Sequence, residues 1–125
     1  MASVIRGDDN FDSAGIVDGA AKAWVNFNGT GTVAIRSQYN VASITDNGTG
    51  NYTVNFTTAM SDTNYALCGL ARSAYDNENY PSQVNRRVTS ADTTSSISVY
   101  VTRNLGSDEN DQPVDSSEVT LTVFR

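Results

Sequence analysis

The side chains that most often carry catalysis are scarce in this sequence. It contains no histidine and a single cysteine, Cys68. Because histidine is the commonest general base and metal ligand, its absence excludes Ser-His-Asp and Cys-His catalysis. A lone cysteine also excludes a disulfide within the chain. No neighbouring residue in the sequence would activate the thiol, so we interpret Cys68 as a small core residue.

Carboxylates are the other possible source of chemistry. Glycoside hydrolysis needs two of them in a cleft, one with a raised pKa. Apart from Glu118, at the entrance of a predicted strand, every acidic residue lies in the N-terminal segment or in turn-rich segments. We find no candidate pair, and we predict that the protein is not an enzyme and uses no cofactor.

A cluster of acidic residues could in principle bind a metal ion. It comprises Asp108, Glu109, Asp111 and Asp115, all in the predicted loop Asn104–Ser116. Clustered oxygen ligands suit Ca²⁺, but the spacing does not match the EF-hand loop. Solvated loop acids are the alternative interpretation, and we favour it. We therefore predict no metal site.

A polar loop with two aromatic residues is a better candidate site. It comprises Tyr75, Asp76, Asn77, Glu78, Asn79 and Tyr80. Aromatic faces stack on sugar rings, and carboxylate and amide groups pair with sugar hydroxyls. The alternative is an ordinary polar loop with its tyrosines packed down. If the protein contacts a cell surface, we predict glycan binding at these residues.

The length and composition indicate one all-β domain. A chain of 125 residues buries roughly two-thirds of its unfolded surface on folding. Thr, Ser, Asn, Val and Tyr are plentiful, and long helical patterns are absent. The net charge of −6 argues against nucleic acid and against an anionic membrane surface as partners. The sequence shows no signal peptide and no segment of transmembrane length.

Two hairpins are predicted within Lys22–Met60. The turn sequence Asn-Gly-Thr-Gly occurs at Asn28–Gly31 and again at Asn47–Gly50, each time between alternating apolar residues. Such turns are the strongest short-range hairpin signal. Three-residue loops keep the apolar side chains on one face, since a one-residue slip would invert every side chain. The predicted pairs are Asn28 with Thr32, Phe27 with Val33, Val25 with Ile35, Asn47 with Asn51, Asp46 with Tyr52, Ile44 with Val54 and Ala42 with Phe56.

The segment Thr32–Asp46 is predicted to be one strand with an irregularity. Its first apolar residues, Val33, Ile35, Tyr39 and Val41, are odd-numbered, whereas the second hairpin needs Ala42 and Ile44 inward. The inward parity therefore changes near Asn40–Ala42, and a β-bulge or a bend between two sheets would explain this change. The nearly continuous apolar run Tyr65–Arg72 predicts a central strand covered on both sides. Further strands are predicted at Gln83–Thr89 with Val84 and Val88 inward, at Ser96–Arg103 with Ile97, Val99 and Val101 inward, and at Ser117–Phe124 with Val119, Leu121 and Val123 inward.

These elements predict an antiparallel β-sandwich or jelly-roll-like barrel of about seven to eight strands. An extended N-terminal arm, residues 1–21, precedes a single domain formed by residues 22–125. The arm carries Val4, Ile5 and Phe11 without a core of its own, and Trp24 lies on the polar face of the first strand. Because large exposed aromatic residues usually mark contacts, we predict that these four residues form an oligomer interface.

The amino-acid sequence of Lys22–Met60 resembles a module found in tailed bacteriophages. The resemblance is carried by Lys22–Arg36 (KAWVNFNGTGTVAIR), Tyr39–Val41 (YNV), Ile44–Gly50 (ITDNGTG), Tyr52–Met60 (YTVNFTTAM) and Asn64–Ala66 (NYA), with Asp9–Ser13 (DNFDS) upstream. Together these segments cover about half of the chain. In that family the module is similar to the distal part of tail fibres and related virion structural proteins.

The resemblance implies a virion structural protein, most specifically a small tail-fibre or adhesion module that contacts a host-surface glycan. The family module usually ends a long fibre polypeptide, whereas this chain begins just ahead of it, which favours a small self-standing virion part. A homotrimer would suit a fibre module, because three copies can bury apolar surface along one axis. We expect synthesis in the host cytoplasm and assembly with other virion proteins.

Two other classes remain as alternatives. In the first, the same domain is a head decoration, or cement, protein that clamps neighbouring capsid subunits with its N-terminal arm. In the second, it is a carbohydrate-binding module or hydrolase, which the missing histidine and the missing pair of cleft acids disfavour. Copy number in the particle separates tail fibre from decoration, and polysaccharide hydrolysis would indicate the hydrolase.

Overall fold

A computed structural model of the protein describes residues 19–74, 81–87, 89–104 and 111–125. In these ranges no helix is long and apolar enough to cross a membrane. The strands of the described residues, in chain order, are β1 (Ala21–Asn28), β2 (Ala34–Tyr39), β3 (Val41–Asp46), β4 (Asn51–Phe56), β5 (Ala66–Ala71), β6 (Ser82–Arg86), β7 (Ser96–Arg103), β8 (Gln112–Pro113) and β9 (Val119–Phe124).

Two antiparallel sheets form a β-sandwich, as the sequence predicts. The four-stranded sheet has the order β2-β1-β9-β5. The five-stranded sheet has the order β3-β4-β7-β6, with β8 paired to β7. Of the two predicted architectures, the structure has the sandwich. The predicted ligand-binding residues 75–80, the arm residues Val4, Ile5 and Phe11, the acids Asp108 and Glu109, and Val88 lie outside the described residues.

The core lies between the two sheets and is filled mainly by alternate residues of four strands. These are Ala23, Val25 and Phe27 of β1, Tyr52, Val54 and Phe56 of β4, Ile97, Val99 and Val101 of β7, and Val119, Leu121 and Val123 of β9, and Val41, Met60, Tyr65 and Val114 are buried with them. The ring of Phe27 in one sheet meets the ring of Tyr52 in the other edge-on, with centroids 5.2 Å apart. These inward faces are the ones predicted, because strict alternation in a half-buried strand fixes which side chains are buried.

The second hairpin confirms the predicted loop. Asp46 lies opposite Tyr52 and Ile44 opposite Val54, and the Asn47 amide donates to the Asn51 carbonyl at 2.8 Å. The last glycine of the loop has φ +66°, the left-handed conformation that glycine adopts without cost. One predicted pair is wrong. Val41, not Ala42, faces Phe56, because a bulge shifts the register between Val41 and Ser43.

The first hairpin does not have the predicted register. Phe27 faces Ile35 rather than Val33, Asn28 faces Ala34 rather than Thr32, and Val25 faces Gln38 rather than Ile35. The loop therefore runs from Gly29 to Val33. The Gly29 amide donates to the carbonyl of Ser116 at 2.8 Å, so a contact from the far end of the chain holds this residue out of the ladder. The register is shifted by two residues at Phe27, which keeps Ile35 on the inward side. A bulge between Asn26 and Phe27 makes the shift three residues at Val25.

The predicted irregularity near Asn40–Ala42 is confirmed. Strands β2 and β3 belong to different sheets, and Asn40 between them has φ +55°. Its Nδ2 donates to the carbonyls of Lys22 and Thr58, each at 3.0 Å, and its Oδ1 accepts the Thr58 amide at 2.7 Å. Asparagine tolerates the left-handed conformation, and here its side chain ties the bend to neighbouring segments.

The segment Tyr65–Arg72 was predicted to be a covered central strand, and this prediction is wrong. Strand β5 is an edge strand that pairs with β9. Cys68 is exposed rather than a core residue, and 76% of Leu70 is accessible to solvent. Gly69 faces inward, where Leu121 and Val84 fill the space a side chain would need. The apolar run reflects an apolar outer face and not burial on both sides.

Candidate functional site

The outer surface of the four-stranded sheet carries a group of apolar side chains interspersed with polar ones, which include Asn26, Thr120 and Thr122. We call the apolar group the apolar face, and it comprises Trp24, Tyr39, Cys68, Leu70 and Phe124. Trp24 lies opposite Tyr39 of β2 on one side and opposite Thr122 of β9 on the other. Cys68 of β5 lies opposite the same Thr122. One cross-strand row therefore brings Tyr39, Trp24 and Cys68 together across all four strands.

The apolar face holds the large hydrophobic side chains that remain exposed in the described part of the chain. The exposed fractions are 38% for Trp24, 56% for Tyr39 and 76% for Leu70. The sequence placed Trp24 correctly on the outward side of β1. The prediction that Tyr39 faces inward is wrong, because the bulge in the pairing of β1 with β2 sets Tyr39 opposite Trp24. A patch of this kind is typical of a surface that another protein covers. The role of Trp24 in an interface stays a prediction.

A groove of about 620 Å³ opens next to the apolar face. It lies at the end of the sandwich where the chain passes from β2 in one sheet to β3 in the other. It is lined by Lys22, Gln38, Tyr39, Asn40, Thr57, Thr58, Ala59, Met60, Ser61 and Arg125. Several of its polar groups serve the fold. Asn40 holds the bend, and the Arg125 Nε donates to Asp62 at 2.7 Å. The pKa of the Asp62 carboxyl is lowered to about 2 by the hydrogen bonds from Arg125, then by the Asn64 amide.

The outer surface of the five-stranded sheet is polar throughout its described strands. We call it the polar face. It carries Ser43 and Thr45 of β3, Asn51, Thr53 and Asn55 of β4, Ser96, Ser98, Tyr100 and Thr102 of β7, and Gln83 and Asn85 of β6. Neighbouring strands are linked here by side chains. Asn55 Nδ2, for example, donates to the hydroxyls of Ser43 at 3.0 Å and Thr45 at 2.9 Å.

A second groove, of about 480 Å³, lies on the polar face over β6 and β7. We call it the polar groove, and it is lined by Gln83, Asn85, Arg86, Arg87, Thr89, Tyr100, Thr102 and Asp111. Sequence reasoning missed both this groove and the polar face. The available signal was the run of Asn, Gln, Ser and Thr at the outward positions of three strands, but only the strand register brings these residues together.

A buried hydrogen-bond network connects the two sheets near the second hairpin loop. The Tyr52 hydroxyl lies 2.7 Å from Asp115 Oδ1 and 3.0 Å from the Gly29 carbonyl oxygen. The Gly50 amide also donates to Asp115, at 2.9 Å. Burial, together with the hydrogen bond and negative charge of Asp115, raises the pKa of Tyr52 well above its ordinary value. This network is structural, because each polar group in it serves the contact between sheets.

Of the four acids considered for calcium, the structure describes Asp111 and Asp115, and these two have different hydrogen-bond partners. Asp115 accepts hydrogen bonds from Tyr52 and Gly50, whereas Asp111 accepts one from Gln83 Nε2 at 2.9 Å. Across residues 19–74, 81–87, 89–104 and 111–125, no group of three or more potential metal-ligating side chains is found. The predicted sugar-binding loop is bounded by Ala74 and Ser82, and the Ala74 amide donates to the Ser82 hydroxyl at 3.3 Å.

Comparison with known proteins gives no relative for this arrangement. No protein-family model, no curated protein and no solved structure matches the chain. The fold and its outer surfaces define the class: a β-sandwich with exposed large apolar side chains on the four-stranded sheet and a polar outer surface on the five-stranded sheet.

Proposed function

We propose that the protein is a bacteriophage virion structural protein, a small tail-fibre or adhesion module that contacts the host surface. The observation that carries this proposal is the contrast between the two outer surfaces of the sandwich. An exposed apolar patch on a small domain is normally covered by another protein, whereas amides and hydroxyls remain hydrated. A subunit that binds other virion proteins through one sheet and exposes the other sheet to solvent and to the host surface needs one apolar and one polar face.

The sequence supports the same proposal from another direction. The segment that resembles the phage tail-fibre module, Lys22–Met60, spans β1 to β4. It supplies Trp24 and Tyr39 to the apolar face, and it supplies Asn51, Thr53 and Asn55 to the polar face. The resemblance therefore includes strands of both sheets and two of the aromatic residues that would be covered on assembly.

The location is tested by counting copies in purified phage particles with quantitative mass spectrometry. A tail-fibre or adhesion module is expected at a few copies per particle. A copy number comparable to that of the major capsid subunit would instead assign the protein to head decoration. Complete absence from particles would overturn the proposal of a virion role.

For the oligomer, we propose that further copies of this chain cover the apolar face, as a homotrimer. Leu70→Asp is expected to keep the protein monomeric at micromolar concentration, because a charge cannot be buried unpaired in an apolar contact. Leu70 suits this test because it is 76% exposed, so its replacement removes little from the core. Light scattering coupled to size-exclusion chromatography measures the mass of wild type and variant.

Ala42→Asp is the matched control for this experiment. It introduces the same charge at an exposed position of β3, in the other sheet, and should leave the oligomer intact. The single tryptophan and the single cysteine both lie on the apolar face. Assembly should therefore shift Trp24 fluorescence to shorter wavelength and slow the reaction of Cys68 with a thiol reagent. A wild-type protein that is a stable monomer at micromolar concentration would contradict the trimer.

A further inference from the structure

The polar groove combines a defined shape with side chains held on two paired strands. Gln83 of β6 faces Thr102 of β7, and Asn85 faces Tyr100. Its volume of about 480 Å³ falls within the range of small-molecule binding sites, which is roughly 300–1,000 Å³. Sites built on paired strands are more rigid than loop sites, so little ordering is needed when a ligand binds.

A hydrogen-bond network orients the amides along the groove. Thr102 is almost fully buried, and its Oγ1 accepts from Gln83 Nε2 at 3.4 Å and from Asn85 Nδ2 at 3.3 Å. Gln83 Nε2 also donates to Asp111 Oδ2 at 2.9 Å. These hydrogen bonds engage both amide nitrogens and fix the orientation of the amides. The side-chain carbonyl oxygens of Gln83 and Asn85 have no partner among the described residues and remain available as acceptors. The Tyr100 hydroxyl is equally unpartnered there.

The charges of the groove are limited and balanced. Arg86 is committed to the fold, since it donates to the Tyr65 carbonyl at 2.8 Å and pairs with Asp92 at 3.4 Å. Arg87 Nη1 donates to Asn51 Oδ1 at 2.9 Å, which leaves its other N–H groups as donors. The lining also contains one carboxylate, Asp111, so with Arg86 paired to Asp92 the formal charges of the groove sum to zero. The groove therefore favours an uncharged ligand that can both donate and accept several hydrogen bonds.

We propose that the polar groove binds a neutral carbohydrate, a glycan with hexose or N-acetylhexosamine units. Sugar hydroxyls can donate to the amide oxygens of Gln83 and Asn85 and to Asp111, and they can accept from Arg87. The ring of Tyr100 offers a surface for the C–H face of a pyranose. This inference rests on the host-contact role proposed above and gives it a site outside the Tyr75–Tyr80 loop.

The test uses the full chain and neutral trisaccharides of glucose, galactose, mannose and N-acetylglucosamine, first on an array and then by calorimetry. We expect at least one of them to bind. Tyr100→Ala should weaken binding about fivefold, since loss of a stacking ring costs on the order of 1 kcal/mol. Tyr100→Phe keeps the ring and should weaken it less. Gln83→Ala removes an exposed amide with little risk to the fold and should also weaken binding several-fold.

Ser98→Ala is the matched control, because Ser98 lies on the same strand and face but outside the groove. It should bind like wild type, and thermal unfolding should show that every variant is folded. Failure of all four trisaccharides to bind would overturn the proposal. Unchanged binding in both Tyr100→Ala and Gln83→Ala would also overturn it. Loss only in a Tyr75→Ala/Tyr80→Ala variant would move the site to that loop.

These outcomes are separable from those for the virion role. Trisaccharide binding is measured on the purified protein, whereas location is measured by copy number in particles. A protein present in particles that binds none of the sugars would remove the groove proposal alone. A protein that binds sugar through Tyr100 but is absent from particles would remove the virion proposal alone.

Discussion

Gly50→Ala is expected to lower the free energy of unfolding by about 2–5 kcal/mol. Gly50 has φ +66°, and an L-residue there costs roughly 1–2 kcal/mol. An added Cβ would also overlap the carbonyl oxygen of Val101 and lie 2.9 Å from the amide nitrogen of Val114. Crowding of this kind typically adds 1–3 kcal/mol. The backbone cannot easily move away, because the Gly50 carbonyl accepts the Val101 amide at 2.7 Å.

Gly31→Ala separates the two contributions to this loss. Gly31 has nearly the same φ, +60°, but an added Cβ would have no neighbour within 4 Å. Its replacement should therefore cost only the conformational part, about 1–2 kcal/mol. Urea denaturation of wild type and both variants, followed by circular dichroism, measures the difference. Equal losses for the two variants would show that crowding at Gly50 contributes nothing.

The second large effect concerns stability at high pH. Burial, followed by the hydrogen bond to Asp115, raises the pKa of Tyr52 above its ordinary value of 10.0. Burial also raises the pKa of Tyr65 to about 12. A raised folded-state pKa gives stability that is complete below the unfolded value and is lost as the pH rises towards the folded value. The free energy of unfolding should therefore decline above about pH 10.

Tyr52→Phe tests, at pH 7 and above pH 10, whether ionisation of Tyr52 causes the loss of stability at high pH. At pH 7 the variant should be less stable by about 1–3 kcal/mol, because Asp115 loses a hydrogen-bond donor in a buried network. Above pH 10 its stability should fall less steeply than that of wild type. Tyr65→Phe should reduce the slope to a smaller extent. If denaturant titrations give the same slope for Tyr52→Phe and wild type between pH 10 and pH 12, the buried tyrosine is not the cause.

Local patterns predicted the parts of the fold that depend on local geometry. In β1, β4, β7 and β9 one face is buried and the other is not, so alternation alone identifies the inward residues. The second hairpin followed from its own turn sequence, since Gly50 supplies the left-handed residue that such a loop needs. The parity change at Asn40 likewise required a break in the strand, and the structure has that break at the crossing between sheets.

The failed predictions concern contacts between distant segments. The first hairpin depends on the hydrogen bond from Gly29 to Ser116, and nothing near Gly29 in the sequence contains that information. In β5, an apolar run with an exposed outer face looks the same as one buried on both sides, because the sequence does not say whether a covering layer exists. The polar groove was missed for the same reason, as it requires the register of β6 against β7.

The order of strands in the four-stranded sheet has a consequence for biosynthesis. Strand β9 lies between β1 and β5. In a nascent chain that still lacks Val119–Phe124, the edges of β1 and β5 that pair with β9 are therefore unpaired. Contacts between the beginning and end of a chain form slowly, and unpaired strand edges invite association with other chains. The four-stranded sheet therefore closes only after Val119–Phe124 has left the ribosome, and chains that stall before β9 are expected to aggregate.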